Sequence, residues 1–165
     1  MNNKIAVITG ITGQDGAYLA QLLIQKDYEV IGVVQDLSNI NKSRLEYLSV
    51  SDQIEWRQCC LTEKNDITNL IEETQPDEFY NLAAQSSVFT SYQQPILTLN
   101  FNTMSVANIL ESIRETNSEI KFYQASSGEM FGNVNSLPIT EDSTLFPVSP
   151  YAVSKCTSFW LTVNY

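Results

Sequence analysis

A tyrosine and a lysine near the end of the sequence are the residues best suited to proton transfer. Tyr151 and Lys155 stand four positions apart in the segment SPYAVSK at 149–155, which places both side chains on one face of a helix. A cation beside a phenol favours the phenolate, so Tyr151 is a candidate base for a sugar hydroxyl, and Lys155 would reach a nicotinamide ribose. On most helices this spacing is only an exposed pair, and it becomes a strong signal only downstream of a dinucleotide-binding turn.

A glycine-rich turn follows the first apolar segment, 4–9. Residues 9–16 read TGITGQDG, and the glycines allow a tight turn and close approach of backbone N–H groups to a pyrophosphate at a helix N-terminus. The candidate cofactor contacts of this turn are Gly10, Thr12, Gly13, Gln14, Asp15 and Gly16. A turn needed only to pack a strand against a helix is the alternative, and the apolar strand before it favours the dinucleotide interpretation.

The end of the second apolar segment bears on the choice of dinucleotide. An acidic residue there normally binds the ribose 2′-hydroxyl, whereas an arginine accepts a 2′-phosphate. Residues 33–36 read VVQD, so Asp36 would repel a 2′-phosphate and favours NAD. The alternative is that Asp36 only caps or solvates a loop. Arg44 lies further on, where it would either lie against the adenine or be solvated.

A polar segment, QASSGEMFG at 124–132, follows the last apolar strand. Because ligands of open α/β sheets bind at the carboxyl ends of strands, Ser127 and Glu129 are expected to face the site. Ser127 could hydrogen-bond a substrate oxygen, and a partly desolvated Glu129 could exchange a carbon-bound proton. A loop serine and a solvated glutamate are the alternative.

The composition excludes several other kinds of site. The 165 residues contain no histidine, which excludes a Ser-His-Asp triad, a Cys-His pair and a histidine-ligated metal. The 9 basic and 19 acidic residues give a net charge of −10, which argues against nucleic acid and an anionic membrane surface as partners. Cys59, Cys60 and Cys156 form no CxxC pair, and their odd number suits a reducing compartment.

The elements that position these residues follow from the hydrophobic pattern. Strands are predicted at 4–9, 29–34, 54–59, 78–84 and 121–125, and helices at 17–26, 43–48, 65–74, 97–116 and 151–165. This alternation predicts right-handed βαβ units in an α/β fold with a doubly wound, Rossmann-like parallel sheet. Since complete folds of this kind usually have six or more strands, we expect residues 1–165 to be an incomplete dinucleotide-binding domain. The last strands and a C-terminal substrate domain would then be missing.

Targeting signals are not evident in the sequence. The N-terminal apolar run ending at Gly10 is too short for a secretory signal, and no apolar stretch approaches the roughly 20 residues that span a bilayer. We therefore expect a cytoplasmic protein without a membrane partner.

Together these stretches resemble extended short-chain dehydrogenase/reductases and, among them, the GDP-mannose 4,6-dehydratase family. The resemblance covers nearly the whole chain. Its most specific motifs are ITGITGQDG at 8–16, QPDE at 75–78, YNLAAQS at 80–86, FYQAS at 122–126, SPYAVSK at 149–155, Trp160 and TVNY at 162–165. The QDG variant of the glycine turn is close to a signature of that family.

The family's mechanism implies a role for each matching residue. Tyr151 would take the proton of the sugar 4-hydroxyl while hydride leaves C4 for the nicotinamide, and Glu129 would remove the C5 proton as water leaves C6. Hydride would then return to C6, which converts GDP-mannose to GDP-4-keto-6-deoxymannose. Ser127 keeps the hydroxyl of the family's catalytic threonine, Lys155 would position the cofactor and tune Tyr151, and Ser86 would approach the sugar nucleotide.

The resemblance also implies further cofactor contacts. They are Cys60, Leu61, Leu82, Ala83 and Ala84. It implies NADP, for which this family usually has two arginines where this chain has Gln35 and Asp36, so NADP and NAD both stay open. Cys60 with Leu61 replaces the family's usual Asp-Leu beside the adenine, and Ser87 replaces its usual histidine.

Two positions separate this family from its relatives. Sugar-nucleotide 4-epimerases lack a glutamate at the position of Glu129, and glucose-type 4,6-dehydratases have Asp-Glu where this chain has Gly128 and Glu129. A 4-epimerase or reductase of the same superfamily and a cofactor-binding module without catalysis are the alternative functions. The resemblance further implies a homo-oligomer, at least a dimer, through the helices at 97–116 and 151–165. Plain packing of these helices onto the sheet is the alternative.

Overall fold

The computed structural model describes residues 3–134 and 137–165. Its strands are β1 (Ile5–Thr9), β2 (Glu29–Val34), β3 (Ile54–Gln58), β4 (Glu78–Asn81) and β5 (Lys121–Gln124). Its α-helices are α1 (Gln14–Ile24), α2 (Ser43–Tyr47), α3 (Lys64–Thr74), α4 (Val88–Gln93), α5 (Pro95–Leu99), α6 (Ser105–Thr116) and α7 (Pro150–Asn164). A π-helical turn (Asn100–Met104) joins α5 to α6, and short 3-10 turns lie at Ser51–Gln53 and Gly128–Phe131.

The five strands form one parallel sheet in the order β3-β2-β1-β4-β5. The chain runs outward in one direction from β1 to β3 and in the other from β4 to β5, so the order reverses between β1 and β4. In open α/β sheets, ligands bind beside the carboxyl ends of the strands at such a reversal. This topology confirms the predicted doubly wound α/β fold.

Both faces of the sheet are covered at its centre, which explains the uninterrupted apolar sequences of β1 and β2. On one face Val7 and Phe79 pack against Ile67 of α3 and Ile109 of α6. On the other face a second cluster places the strands against α1, whose buried residues include Ala17 and Ala20. Side chains along each strand point alternately into these two clusters, so Thr9 lies on the same face as Val7.

The elements differ from the sequence-based expectations in four places. Helix α1 begins at Gln14 rather than at residue 17, so the end of the predicted glycine turn forms the first turn of this helix. The predicted helix at 97–116 is divided into α5, the π-helical turn and α6, and α4 before it was not predicted. Pro95 occupies the first turn of α5, where its missing N–H costs nothing, so it starts a new helix. Strand β4 ends at Asn81 rather than at residue 84, because the N–H of Ala83 donates to the Thr9 side chain, 3.1 Å away, instead of continuing the ladder.

Helix α7 begins where the sequence predicts it. The Ser149 hydroxyl accepts a 3.0 Å hydrogen bond from the N–H of Ala152, and Pro150 occupies the first helical position. Both features are typical helix starts. Among the described residues, no helix combines the length and the apolar character that crossing a membrane requires.

Candidate functional site

The turn after β1 and the first turn of α1 are each packed too tightly for a side chain at one glycine. Gly10 has a φ of +69°, and a methyl group there would lie 2.8 Å from the backbone N of Ala83. A methyl group at Gly16 would lie 2.4 Å from the carbonyl oxygen of Gly10. The turn therefore rests directly on the segment after β4, and the start of α1 lies at the carboxyl edge of the sheet. This geometry suits a dinucleotide pyrophosphate.

A groove of about 640 Å³ runs along this edge. It brings together six of the predicted cofactor residues: Gly10, Thr12, Asp36, Cys60, Leu61 and Ala83. The remaining ones, including Gly13–Gly16, Leu82 and Ala84, lie outside its lining. The groove also contains Asn39, Leu97 and Asn100, which the sequence analysis missed. The sequence gives little indication that Leu97 and Asn100 reach the groove, because their positions depend on the break between α5 and α6.

Asp36 lies in this groove as a charged group. Its carboxylate accepts hydrogen bonds from the N–H and the hydroxyl of Ser38, at 2.8 and 2.7 Å. These hydrogen bonds hold the pKa of Asp36 below its usual value. The Arg44 guanidinium donates to the carbonyl of Thr12, a residue of the groove, at 3.2 Å, but it lines a separate hollow with Tyr18. The lining of the groove thus contains the Asp36 carboxylate and no arginine.

The two neighbouring cysteines differ in their surroundings. Cys59 is buried, and this burial raises the pKa of its thiol to about 12, so the thiol stays neutral. Cys60 is half-buried, with its sulfur 3.3 Å from the hydroxyl of Thr62 and its N–H donating to the carboxylate of Asp66 at 3.3 Å. Among residues 3–134 and 137–165, no group of three His, Cys, Asp or Glu side chains lies close enough to hold a metal ion.

Three strands end in polar residues that are hydrogen-bonded side by side. Thr9, Asn81 and Gln124 are the last residues of β1, β4 and β5, and they pair directly across the sheet. The Thr9 hydroxyl donates to Oδ1 of Asn81 at 2.6 Å, and Nδ2 of Asn81 donates to Oε1 of Gln124 at 2.8 Å. This row connects the strand that precedes the glycine turn to the strand that lies beside α7.

The Tyr151 and Lys155 side chains are both buried, with 8% and 4% of their surface exposed. Nζ of Lys155 lies 5.9 Å from the centre of the Tyr151 ring and donates a 2.9 Å hydrogen bond to the carbonyl of Ala125, directly after β5. Burial also lowers the pKa of Lys155. The alternative of a solvated pair on a helix surface is therefore wrong for this helix.

Asn102, in the π-helical turn, fixes α7 relative to the segment after β4. Its side chain accepts from the N–H of Gln85 at 2.8 Å, donates to the Gln85 carbonyl at 3.1 Å and donates to the Ser154 hydroxyl at 2.9 Å. Ser154 lies between Tyr151 and Lys155 in the helix. The sequence analysis missed Asn102, for which the only signal was a polar residue inside a helical pattern.

The residues predicted to contact the sugar, Ser86, Ser127 and Glu129, are less buried than the Tyr151–Lys155 pair. Ser127 caps the 3-10 turn by accepting from the N–H of Glu129 at 3.2 Å. Glu129 and Ser86 are exposed, so the partial desolvation expected for Glu129 is not observed. The turn that carries this glutamate packs against α7 through the buried Met130, while the Glu129 side chain itself is exposed. Ser127 lines a second groove, of about 890 Å³, with Tyr123 and Trp160.

Comparison with known proteins identifies the family. Residues 7–165 match the family model described as GDP-mannose 4,6 dehydratase. The chain belongs to the GDP-mannose 4,6-dehydratase family. A GDP-mannose 4,6-dehydratase of Vibrio cholerae serotype O1 is 41% identical over 174 residues, which cover 100% of this chain and 46% of that protein. The GDP-mannose 4,6 dehydratase of Drosophila melanogaster is 38% identical, with 99% of this chain and 43% of that protein covered.

This family assignment confirms the resemblance seen in the sequence. The chain spans less than half the length of these curated relatives. Among solved structures, the UDP-Glc/GlcNAc 4-epimerase of Campylobacter jejuni matches with a TM-score of 0.88 and 25% identity, over 98% of this chain and 49% of the epimerase. The UDP-glucose 4-epimerase of Thermus thermophilus, in complex with NAD, matches with a TM-score of 0.83 and 25% identity, over 96% of this chain and 50% of that one.

Proposed function

We propose that this member of the GDP-mannose 4,6-dehydratase family supplies the nicotinamide-dinucleotide site and the proton-transfer pair for conversion of GDP-mannose to GDP-4-keto-6-deoxymannose. Residues 1–165 are then the dinucleotide-binding domain. The main observation behind this proposal is the buried Tyr151–Lys155 pair, which lies at the carboxyl edge of the same sheet as the glycine turn. A surface pair would not be held against a strand end in this way.

The residues of the groove fit a nicotinamide dinucleotide. Gly13, the N-cap residue of α1, provides no side-chain cap, so the first N–H groups of this helix are available to a pyrophosphate. The structures with NAD bound that this chain resembles share the same sheet. A bound dinucleotide would supply reversible two-electron chemistry at the sugar.

In this proposal the chain's own residues handle the protons. The Tyr151 phenol takes the proton of the sugar 4-hydroxyl. Lys155 holds its positive charge beside that ring, because the Ala125 carbonyl fixes the ammonium group, and this charge stabilises the phenolate as it forms. Both side chains are preorganised by packing, so neither needs to reorganise during the reaction.

Ser127 and Glu129 have the complementary roles in elimination of water. The Ser127 hydroxyl hydrogen-bonds a substrate oxygen, and the Glu129 carboxylate removes the C5 proton. Their support is the turn after β5, in which Ser127 fixes the backbone of Glu129. Ser86 approaches the sugar nucleotide from the segment after β4.

The choice of dinucleotide follows from the charges of the groove. We propose NAD rather than the NADP that the resemblance implies, because the Asp36 carboxylate lines the groove while Arg44 lines a separate hollow. A 2′-phosphate would meet a negative charge without a compensating cation.

The surroundings of the site support two further parts of the proposal. Ile96, Trp160 and Val163 are apolar residues of α5 and α7 with 82%, 55% and 60% of their surface exposed, which supports association with a second copy through these helices.

All three cysteines are free thiols, which supports a reducing compartment such as the cytoplasm.

The test is turnover of GDP-mannose by the protein with NAD⁺ or NADP⁺, followed by mass spectrometry and proton NMR of the sugar nucleotide. We expect loss of water, and we expect Tyr151→Phe to slow it by roughly 10²–10⁴-fold. Tyr47→Phe is the matched control, because Tyr47 is 85% exposed on α2. A product with inverted C4 and no water loss would establish a 4-epimerase instead. Dinucleotide binding without any turnover would favour a binding module.

A further inference from the structure

Gln124 touches two parts of the site that no other described side chain connects. Its Oε1 accepts from Nδ2 of Asn81 at 2.8 Å, and its Nε2 donates to the carbonyl of Ala125 at 3.1 Å. The side chain is partly buried. It therefore joins the polar row at the strand ends to a carbonyl that lies beyond the last strand residue.

The Ala125 carbonyl accepts the hydrogen bond of the Lys155 ammonium group. Nζ of Lys155 donates to it at 2.9 Å, and within residues 3–134 and 137–165 no carboxylate forms an ion pair with this ammonium group. The titratable side chain beside Lys155 is Tyr151, on the same helix. A buried ammonium group without a carboxylate depends on neutral acceptors to remain charged.

The orientation of this carbonyl is not determined by the sheet. Strand β5 ends at Gln124, and although the N–H of Ala125 still donates to the carbonyl of Asn81 at 3.1 Å, the Ala125 carbonyl lies past the ladder. A carbonyl oxygen has two lone pairs, so it can accept from Gln124 and Lys155 together. The Gln124 amide is thus placed to fix the acceptor without displacing the ammonium group.

We propose that Gln124 is a positioning residue for Lys155. It holds the Ala125 carbonyl where this oxygen receives the ammonium group, and Asn81 and Thr9 hold Gln124 in turn. The inference rests on the proposed role of Lys155 beside Tyr151, which gives the placement of the charge its importance. Gln124 would thus influence the position of the Lys155 ammonium group without touching it, through the backbone carbonyl of Ala125.

The experiment follows Lys155 directly, by NMR of the protein labelled with carbon-13 in its lysine side chains. The sequence has only six lysines, and Lys155→Arg assigns the signal. In Gln124→Met, which removes both hydrogen bonds at similar size, we expect the Lys155 signal to titrate at a lower pH than in the unaltered protein, since its charged form loses a fixed acceptor. Gln58→Met is the matched control at the end of β3, because Gln58 bonds to Leu37 and not to the α7 region.

Two variants keep the proposal open to refutation. Gln124→Asn keeps an amide but shortens it by one methylene, so it is used if Gln124→Met does not fold, and the same downward shift is expected. A Lys155 titration that coincides with that of the unaltered protein in a folded Gln124 variant would overturn the proposal, since Gln124 would then only support the sheet. The titration needs neither dinucleotide nor sugar, so its failure is separate from failure of the proposed function.

Discussion

The ammonium group of Lys155 lies 5.9 Å from the centre of the Tyr151 ring, and both side chains are buried against the end of β5. One helical turn brings the two residues to the same face of α7. Their burial has a different origin, because Asn102 and Ser154 hold α7 over the strand ends. The short distance between Tyr151 and Lys155 thus follows from their spacing in the helix, whereas their burial depends on how α7 packs in the fold.

Replacing Lys155 tests how this burial affects stability. Because burial lowers the pKa of Lys155 below its ordinary 10.5, the unfolded chain binds more protons than the folded chain between those two values. Stability therefore rises with pH in that window. Lys155→Met should be more stable than the unaltered protein near neutral pH and should lose this rise, as measured by urea unfolding from about pH 7 to about pH 10. Exposed Lys26→Met is the control, and a Lys155→Met protein that is less stable throughout would refute the prediction.

The glycine turn predicts a difference between two glycine substitutions. Gly10→Ala puts a methyl group 2.8 Å from the backbone of the segment after β4, at a positive φ, so we expect destabilisation of about 1–3 kcal/mol and weaker dinucleotide binding. Gly128→Ala is the matched control for stability, because no atom lies within 4 Å of a methyl group there. Urea unfolding and calorimetric titration measure the two effects. Equal stability of both variants would contradict the packing described for the turn.

The Thr9 hydroxyl is predicted to stabilise the switch point of the sheet. It donates to Asn81 and accepts from the N–H of Ala83, so Thr9→Val, which keeps the shape, leaves both groups without this partner. We expect a loss of about 1–3 kcal/mol in the free energy of unfolding. Thr157→Val is the control, since that hydroxyl bonds only to a carbonyl of its own helix. A loss no larger than in the control would show that the row at the strand ends contributes little.

Asp36 is predicted to set the choice of dinucleotide. Asp36→Arg replaces the anion in the groove by a cation, so the ratio of the dissociation constants for NAD⁺ and NADP⁺ should move toward NADP⁺ by about tenfold or more. Asp52→Arg makes the same charge change outside the groove and should leave the ratio unaltered. An unaltered ratio in Asp36→Arg would mean that Asp36 only caps its loop.

Much of the fold could be predicted because strands buried on both faces are uninterrupted apolar segments. Strand β2 occupies Glu29–Val34 as predicted, and helix α7 differs by one residue at each end. The division of the helix at 97–116 could not be predicted, because the π-helical turn depends on Asn102 bonding to Gln85, a contact that only the folded chain creates. Pro95 was the local signal for the start of α5.

The site was predictable to the extent that it depends on local spacing. The glycine turn and the pair on α7 are sequence motifs, whereas Thr9 and Asn81 stand 72 positions apart and meet only through the register of the sheet. The exposure of Glu129 depends on what packs around the turn after β5, which its neighbours in the sequence do not determine.

Binding of a nicotinamide dinucleotide by this chain is the central claim, and calorimetric titration of the folded protein with NAD⁺ and NADP⁺ tests it directly. We predict saturable binding at a single site, with NAD⁺ bound more tightly than NADP⁺ and Gly10→Ala weakening both. Tighter binding of NADP⁺ would contradict the role of Asp36 while leaving the site in place. Binding of neither dinucleotide by the folded protein would contradict the central claim.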